Sequence, residues 1–270
     1  MVYVIAEAGA CGDGDLAKMI RQVNEAASSG ANAVKFQYMS NALKVAERRH
    51  ATEDGYQELY RKYCEWPREW HGDLQSACVS AGVDYMCSVY LKEDVLTVSP
   101  YVSNFKVSSF EADDYDLLNA TARTMRPPQR MFVSTGMCGD TEYRILVDRF
   151  RIAINAQEIV LMHCVSSYPT PLSQLNLSVL SKYKQITGFS DHSDPSFTFT
   201  GALAVSCGAK FIEAHMRLDD TDVSNPDAPH AMTPTQFDEY VELIRNAEFA
   251  IGSGRKGEMP CEKLMKRYRV

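Results

Sequence analysis

The chain is 270 residues long, 45% hydrophobic, and carries a formal net charge of −7. That acidic balance argues against general nucleic-acid binding. No apolar stretch approaches the ~20 uncharged residues of a membrane span, and no basic segment leads into an apolar one as in a secretion signal. Eight cysteines lie scattered without a Cys-x-x-Cys pair, which fits a reducing cytoplasm better than a disulfide framework.

Eight short β-rich runs follow one another along the chain: Val2–Ala6, Ala33–Gln37, Val83–Tyr90, Asn104–Ser109, Arg130–Gly136, Glu158–Cys164, Gln185–His192 and Lys210–Met216. Each is apolar nearly throughout rather than alternating, as expected of strands buried on both faces. Between most of them lie stretches of helical period. Leu16–Ser29 places Leu16, Met19, Ile20, Val23 and Ala27 on one stripe, and Gly30 follows as its stop. About 46 residues separate the second run from the third. That insert holds Arg48-Arg49-His50 and Trp66-Pro67-Arg68-Glu69-Trp70 and reads as an extended connection at the chemically active end. Near the C-terminus, Thr233-Pro234 opens a helix through Phe237, Tyr240, Val241 and Ile244, with proline at its first position. No linker divides the chain, and no Gly-x-Gly-x-x-Gly follows the first run. The pattern predicts an α/β fold, a single (β/α)8 TIM barrel over residues 1–270, with both termini away from the active-site mouth.

In such a barrel the chemistry sits at the C-terminal strand ends, so the candidates can be taken from there. The seventh and eighth runs close on Asp191-His192 and Glu213-Ala214-His215. Two neutral imidazoles at neighbouring strand ends, each near an orienting carboxylate, suit a divalent metal with open positions. Two unrelated histidines, one satisfied by a carbonyl and one on the surface, would give the same sequence. Lys35 and Lys106 lie in otherwise apolar strands, where an unpaired ammonium is costly. Each is therefore paired with Glu7 or Glu111, or awaits an anion. Ser109, Ser134 and Ser190 add hydroxyl donors for phosphate or carboxylate oxygens. Together these residues describe a site for a phosphorylated anion beside a metal-activated carbonyl or water.

Ile5-Ala6-Glu7-Ala8-Gly9, Gly30-Ala31-Asn32-Ala33-Val34-Lys35-Phe36-Gln37 and Phe105-Lys106-Val107-Ser108-Ser109-Phe110-Glu111 resemble the sialic acid synthases. So do Ser134-Thr135-Gly136-Met137, His163-Cys164, Tyr168-Pro169-Thr170-Pro171 with Asn176-Leu177, Gly188-Phe189-Ser190-Asp191-His192 and Asn225-Pro226-Asp227. The matches run in order from the first strand to the last helix. The resemblance implies a metal-dependent barrel that condenses phosphoenolpyruvate with N-acetylmannosamine or a related aldose to a nonulosonic acid. It implies that Lys35, Lys106, Ser109, Ser134 and Ser190 hold phosphoenolpyruvate, with Tyr168 and Ser166 nearby. His192 and His215 would bind manganese or magnesium. Glu7, Gln37 and Asp227 would meet the acceptor's hydroxyls, and Glu111 would activate the attacking water, with Glu7 as the alternative base.

Several positions depart from the family pattern. Cys11-Gly12 stands where the family has Asn-His, Ser166 replaces an asparagine, and Ala214 replaces a basic residue. Family members usually continue into an antifreeze-like domain that supplies an arginine to the partner's sugar site, which implies a homodimer. This chain ends at Lys266-Arg267-Tyr268-Arg269-Val270, about where the linker to that domain would begin. Without a partner arginine, the sugar site is expected to be more open and acceptor affinity weaker. Two other readings fit the same residues: a synthase with a different aldehyde acceptor, and a non-catalytic barrel that binds a sugar acid or sugar phosphate as a partner subunit.

Overall fold

Near-continuous apolar runs demand burial on both faces. The chain meets that demand by closing all eight strands, in sequence order, into one parallel barrel. The structure is a computed structural model and describes residues 1–52, 55–156 and 158–270. The strands are β1 (Tyr3–Gly9), β2 (Ala33–Tyr38), β3 (Asp84–Val89), β4 (Asn104–Val107), β5 (Met131–Ser134), β6 (Ile159–His163), β7 (Ile186–Asp191) and β8 (Phe211–His215). Among the described residues ten α-helices surround them. They are α1 (Leu16–Ser28), α2 (Ala42–Arg48), α3 (Tyr56–Tyr63), α4 (Trp70–Ala81), α5 (Lys92–Val98), α6 (Tyr115–Thr124), α7 (Asp140–Asn155), α8 (Ser178–Lys182), α9 (Thr200–Ser206) and α10 (Pro234–Ile251). None of them is long and apolar enough to cross a membrane.

The two-residue period of a strand explains how one apolar run can also carry the site. Outward-facing Val4, Val34, Phe36, Tyr85, Phe105, Val133, Leu161, Phe189 and Ile212 pack against the helix layer. Inward-facing Ile5, Ala33, Met86, Phe132, Val160, Met162 and Phe211 form a separate dry cluster inside the barrel. Two residues further along the same inward faces, the side chains change character to Glu7, Lys35, Ser88, Ser134, Ser190 and Glu213. All of these are buried. The barrel is thus apolar at its floor and charged toward its mouth.

The strand boundaries shift by one to three residues from those read in the sequence, and two of the shifts bear on the site. Strand β1 runs on to Gly9, so Glu7 lies within the strand, in register with Lys35 on β2 and His215 on β8. Strand β7 ends at Asp191, which leaves His192 as the first residue of the following loop. The long insert between β2 and β3 is not a loose loop. Its α4 packs on α1 like an ordinary barrel helix, while α2 and α3 cover the mouth around a small core of Met39, Val45, Tyr63, Cys64, Tyr90 and Leu91. At the opposite end, Arg245 of α10 donates to the Val2 carbonyl at 2.6 Å. The start of β1 and the last turns of α10 therefore meet away from the mouth.

Candidate active site

The buried charges come first, because burial forces them to find partners. Lys35 Nζ lies 2.5 Å from Glu7 Oε2 and 3.0 Å from Ser88 Oγ. Lys106 Nζ lies 2.6 Å from Glu213 Oε1, an oxygen that also accepts from Ser190 Oγ at 2.8 Å and stands 3.8 Å from Lys35 Nζ. Both lysines converge on one layer, as expected, but they are paired there rather than free. Of the two readings of these lysines, the ion-paired one describes this structure, and Glu213 takes the place beside Lys106 that Glu111 was considered for. Burial works against ionisation of Glu213, yet Lys106 and Lys35 outweigh it and hold the carboxyl down to about 2. Burial, reinforced by Glu213, pushes Glu7 up despite Lys35. Glu7 is thus the carboxylate of this group that takes up a proton more readily.

The histidines gather above that layer. His192 Nδ1 lies 2.8 Å from the Val165 carbonyl. That fixes the tautomer in which Nδ1 carries the proton and Nε2 keeps its lone pair. Nε2 lies 3.2 Å from Ser190 Oγ, whose proton is directed to Glu213. The neighbouring carboxylates do not orient these rings as the sequence suggested. Asp191 accepts instead from Thr200 and, at 2.9 Å, from Tyr240, so it fastens β7 to the helix layer. Glu213 serves Lys106. The ring of His215 sits 5.8 Å from that of His192 and 4.6 Å from that of His230, centroid to centroid. Asp227 Oδ2 is 3.7 Å from His215 Nδ1, and Oδ1 is 3.8 Å from His230 Nε2. Both of those imidazole nitrogens are buried without a hydrogen-bond partner. Burial, then the neighbouring histidines, drives His215 well below the usual histidine value. Burial also draws His192 down to about 4 and lowers His230. Three neutral rings and a carboxylate are a donor set that fits a divalent cation.

A second polar cluster lies at the ends of β4, β5 and β6. Ser109 Oγ accepts from the Gly136 backbone N–H at 3.2 Å and lies 3.0 Å from Cys164 Sγ. A Cβ at Gly136 would stand 2.4 Å from Ser166 Oγ and 2.8 Å from Ser109 Oγ. Glycine thus keeps a cradle open between the two hydroxyls. Ser166 Oγ is buried without a partner, and Ser134 is buried alongside on β5. Hydroxyls and a backbone N–H around a kept space suit phosphate or carboxylate oxygens.

A cavity of about 310 Å³ opens beside the histidines, lined by Gln37, Tyr168, His215, Asp227, His230 and Arg49 among others. Gln37 also donates to Glu7 Oε1 at 3.0 Å, which ties the cavity wall to the layer beneath. Tyr168 stands over His192, with ring centroids 4.3 Å apart. Glu111 does not line this cavity. Its Oε1 accepts from Arg49 Nε at 2.8 Å and Nη2 at 2.7 Å, and its Oε2 from Ser108. It faces a smaller recess with Arg48, Asp113 and Asp114. Glu111, expected to activate the attacking water, is instead directed toward this recess by the short turn after β4 and by Arg49.

Two residues of this site had no role in the sequence reading, and a third had a different one: Glu213 was read as the carboxylate orienting His215 and instead pairs with Lys106. Arg49 was noted only as part of a basic run, yet its guanidinium lies 4.7 to 5.5 Å from the rings of Phe110, Tyr90 and Tyr60. His230 sits in a short turn after the last strand and belongs to no strand-end pattern. Its spacing of three residues from Asp227 was the available signal.

Comparison with known proteins gives a consistent result. Residues 22–256 match the family model described as the NeuB family. The chain is 30% identical to the N,N'-diacetyllegionaminic acid synthase of Legionella pneumophila, over 98% of this chain and 78% of that protein. It is likewise 30% identical to a pseudaminic acid synthase of Campylobacter jejuni, over 94% of this chain and 76% of that protein. Among solved structures, the N-acetylneuraminic acid (sialic acid) synthetase from Leptospira borgpetersenii serovar Hardjo-bovis, in complex with citrate, superposes with a TM-score of 0.87. That match has 26% identity and covers 99% of this chain and 91% of the other.

Proposed function

The chain belongs to the NeuB family, and from that premise we propose that it condenses phosphoenolpyruvate with an aldose to a nonulosonic acid and releases phosphate. The acceptor is N-acetylmannosamine or a related amino sugar. The observation that carries this reading is the stacking of three features at one barrel mouth. These are the hydroxyl cradle at Gly136, the Lys35–Glu7 and Lys106–Glu213 layer, and neutral histidines opening into a cavity of sugar size.

Phosphoenolpyruvate lies with its anionic groups against Ser109, Ser134, Ser166, Ser190 and the Gly136 N–H. Lys35 and Lys106 stand beneath, and each ammonium has three N–H donors, so pairing to one carboxylate leaves others for the ligand. The acceptor occupies the cavity against Gln37, Asp227 and Tyr168. His192 and His215 would hold a divalent cation, manganese or magnesium, which when bound would supply Lewis-acid polarisation of the aldehyde oxygen. C3 of phosphoenolpyruvate forms the new bond to the aldehyde carbon, and the aldehyde oxygen takes a proton. Water adds at C2 and gives its proton to a carboxylate, and phosphate leaves with cleavage of the C2–O bond. Glu7 supports that role best, because its burial raises its proton affinity and Gln37 links it to the cavity. Glu111 acts through Arg49 as a positioning residue. Reaction within the cytoplasm is part of the same proposal.

Phosphate release from phosphoenolpyruvate across an aldose panel, with added Mn2+, tests the reading. Acceptor-dependent release together with a mass matching the condensed acid is the expected result. Substrate binding without release under every acceptor would favour the non-catalytic barrel instead.

A further inference from the structure

The cavity beside the histidines has two chemically different sides. Gln37, His215, Asp227 and His230 make the polar one. Leu59, Tyr60 and Tyr63 of α3, Tyr90 just after β3 and Phe110 in the turn after β4 make the other. The Tyr60 hydroxyl accepts from Arg49 Nη1 at 2.8 Å, and the Tyr63 hydroxyl from Lys62 Nζ at 2.7 Å. With both tips drawn to those cations, the tyrosines offer a ligand mainly their ring faces. Tyr63 and Tyr90 are buried, so this wall stands in place before any ligand arrives.

The charge on the aromatic side is already matched. Among the described residues that line the cavity, Arg49 is the one permanent cation. Its Nε and Nη2 both donate to Glu111 Oε1, at 2.8 and 2.7 Å, and Nη2 also lies 3.5 Å from Ser108 Oγ. Of the five N–H groups of a guanidinium, one on Nη1 is left over. A single donor suits one carbonyl oxygen, whereas a phosphate presents several charged oxygens that each call for partners. Lys62 stands 3.7 Å from Asp222 and does not line the cavity. From the polar side, the carboxylate of Asp227 faces the same space and would repel a second anion.

We propose that the aromatic wall is a specificity subsite for the acceptor. It selects an uncharged aldose whose end remote from the aldehyde bears a methyl group, on a deoxy carbon or in an acylamino substituent, over one bearing a phosphate or a hydroxymethyl group there. The methyl packs against Leu59 and the ring of Tyr60, and an acyl carbonyl takes the spare Arg49 N–H. A hydroxyl pressed on ring faces gives up its water without a replacement, and a phosphate does so with its charge uncompensated. The assignment rests on the synthase reading above and narrows its acceptor.

Four aldoses test it on the full chain with added Mn2+: N-acetylmannosamine, its 6-phosphate, its 6-deoxy form, and a 6-deoxy form with acetamido in place of the 4-hydroxyl. Phosphate release from phosphoenolpyruvate gives kcat/KM for each, and saturation-transfer NMR shows which acceptor protons touch the protein. The two 6-deoxy sugars are expected to exceed N-acetylmannosamine in kcat/KM by on the order of 10–200-fold. Their methyl protons should be among the most strongly saturated, and the 6-phosphate should be the poorest acceptor. Leu59→Ser should erase most of the preference through the acceptor KM rather than that of phosphoenolpyruvate. Tyr60→Phe, which keeps the ring, should retain it, with thermal midpoints as the control for folding. An equal or higher kcat/KM with N-acetylmannosamine or its 6-phosphate would overturn the subsite and leave the synthase reading standing. Release with none of the four would count against the synthase reading, and the subsite would then stand or fall on the methyl contact seen by NMR.

Discussion

Glu213 shows how one buried side chain decides both stability and chemistry. Its carboxylate is held charged by Lys106, Lys35 and Ser190 at almost no exposure. The folded pKa near 2 lies below the ~4.3 of an unfolded glutamate. The stabilisation is therefore present above the unfolded value and is lost as the pH falls through the folded one. Unfolding free energy should accordingly decline between about pH 4.3 and 2, a limb that denaturant titration at successive pH values would reveal and that Glu213→Gln should flatten. Lys106→Met leaves Glu213 with Lys35 as its one nearby cation, at 3.8 Å, so a loss of folding stability should accompany any rise in the KM for phosphoenolpyruvate. The two candidate bases are separated by the same kind of argument. Glu7→Gln should lower kcat by about 10²–10⁴-fold while Mn2+ binding persists. Glu111→Gln, one residue behind the cavity wall through Arg49, should act mainly on acceptor KM. Steady-state kinetics on the two variants checks this, and near-normal turnover in Glu7→Gln would return the role to Glu111.

At the scale of elements, the insert between β2 and β3 is the part that shapes the cavity wall. Helix α2 starts with the Asn41 side chain accepting from the Lys44 N–H, a cap that satisfies an otherwise unpaired donor. The helix delivers Arg49 one residue past its end. There the guanidinium reaches Glu111, Ser108 and the Tyr60 hydroxyl, so one side chain joins α2, α3 and the turn after β4. Arg49→Ala would strand Glu111 as a buried charge, at a cost of about 3–5 kcal/mol. The expected outcome is a lower thermal midpoint and faster proteolysis within residues 40–65, with the barrel strands still protected from hydrogen exchange. Uniform loss of protection across the strands would mean that the insert is part of the barrel's cooperative core.

For the whole molecule, the separation of a dry floor from a charged mouth is the organising feature. Phe132 sits fully buried at the floor, 5.3 Å from Phe211 between ring centroids. Phe132→Ala should cost about 3–5 kcal/mol, read by denaturant unfolding. The barrel itself was legible in the residues, because eight runs apolar on both faces have few ways to be buried and β-branched strands alternate predictably with amphipathic helices. The strand-borne candidates were legible too: a lysine or glutamate two residues beyond a buried isoleucine or alanine must point the same way, so Glu7 and Lys35 share the barrel interior with Ile5 and Ala33. Pairing was another matter. Whether Lys106 meets Glu111, five residues on, or Glu213, across the barrel, depends on strand tilt and closure, which no local pattern records. The same holds for His230 and Arg49, which reach the site from a turn and an insert whose paths are set by tertiary packing. Sequence by itself determined which face each strand residue takes, since that follows from backbone period and burial. Only the tertiary structure decided which charges neutralise one another and which donor atoms are left unpaired, since those depend on distances between segments far apart in the chain.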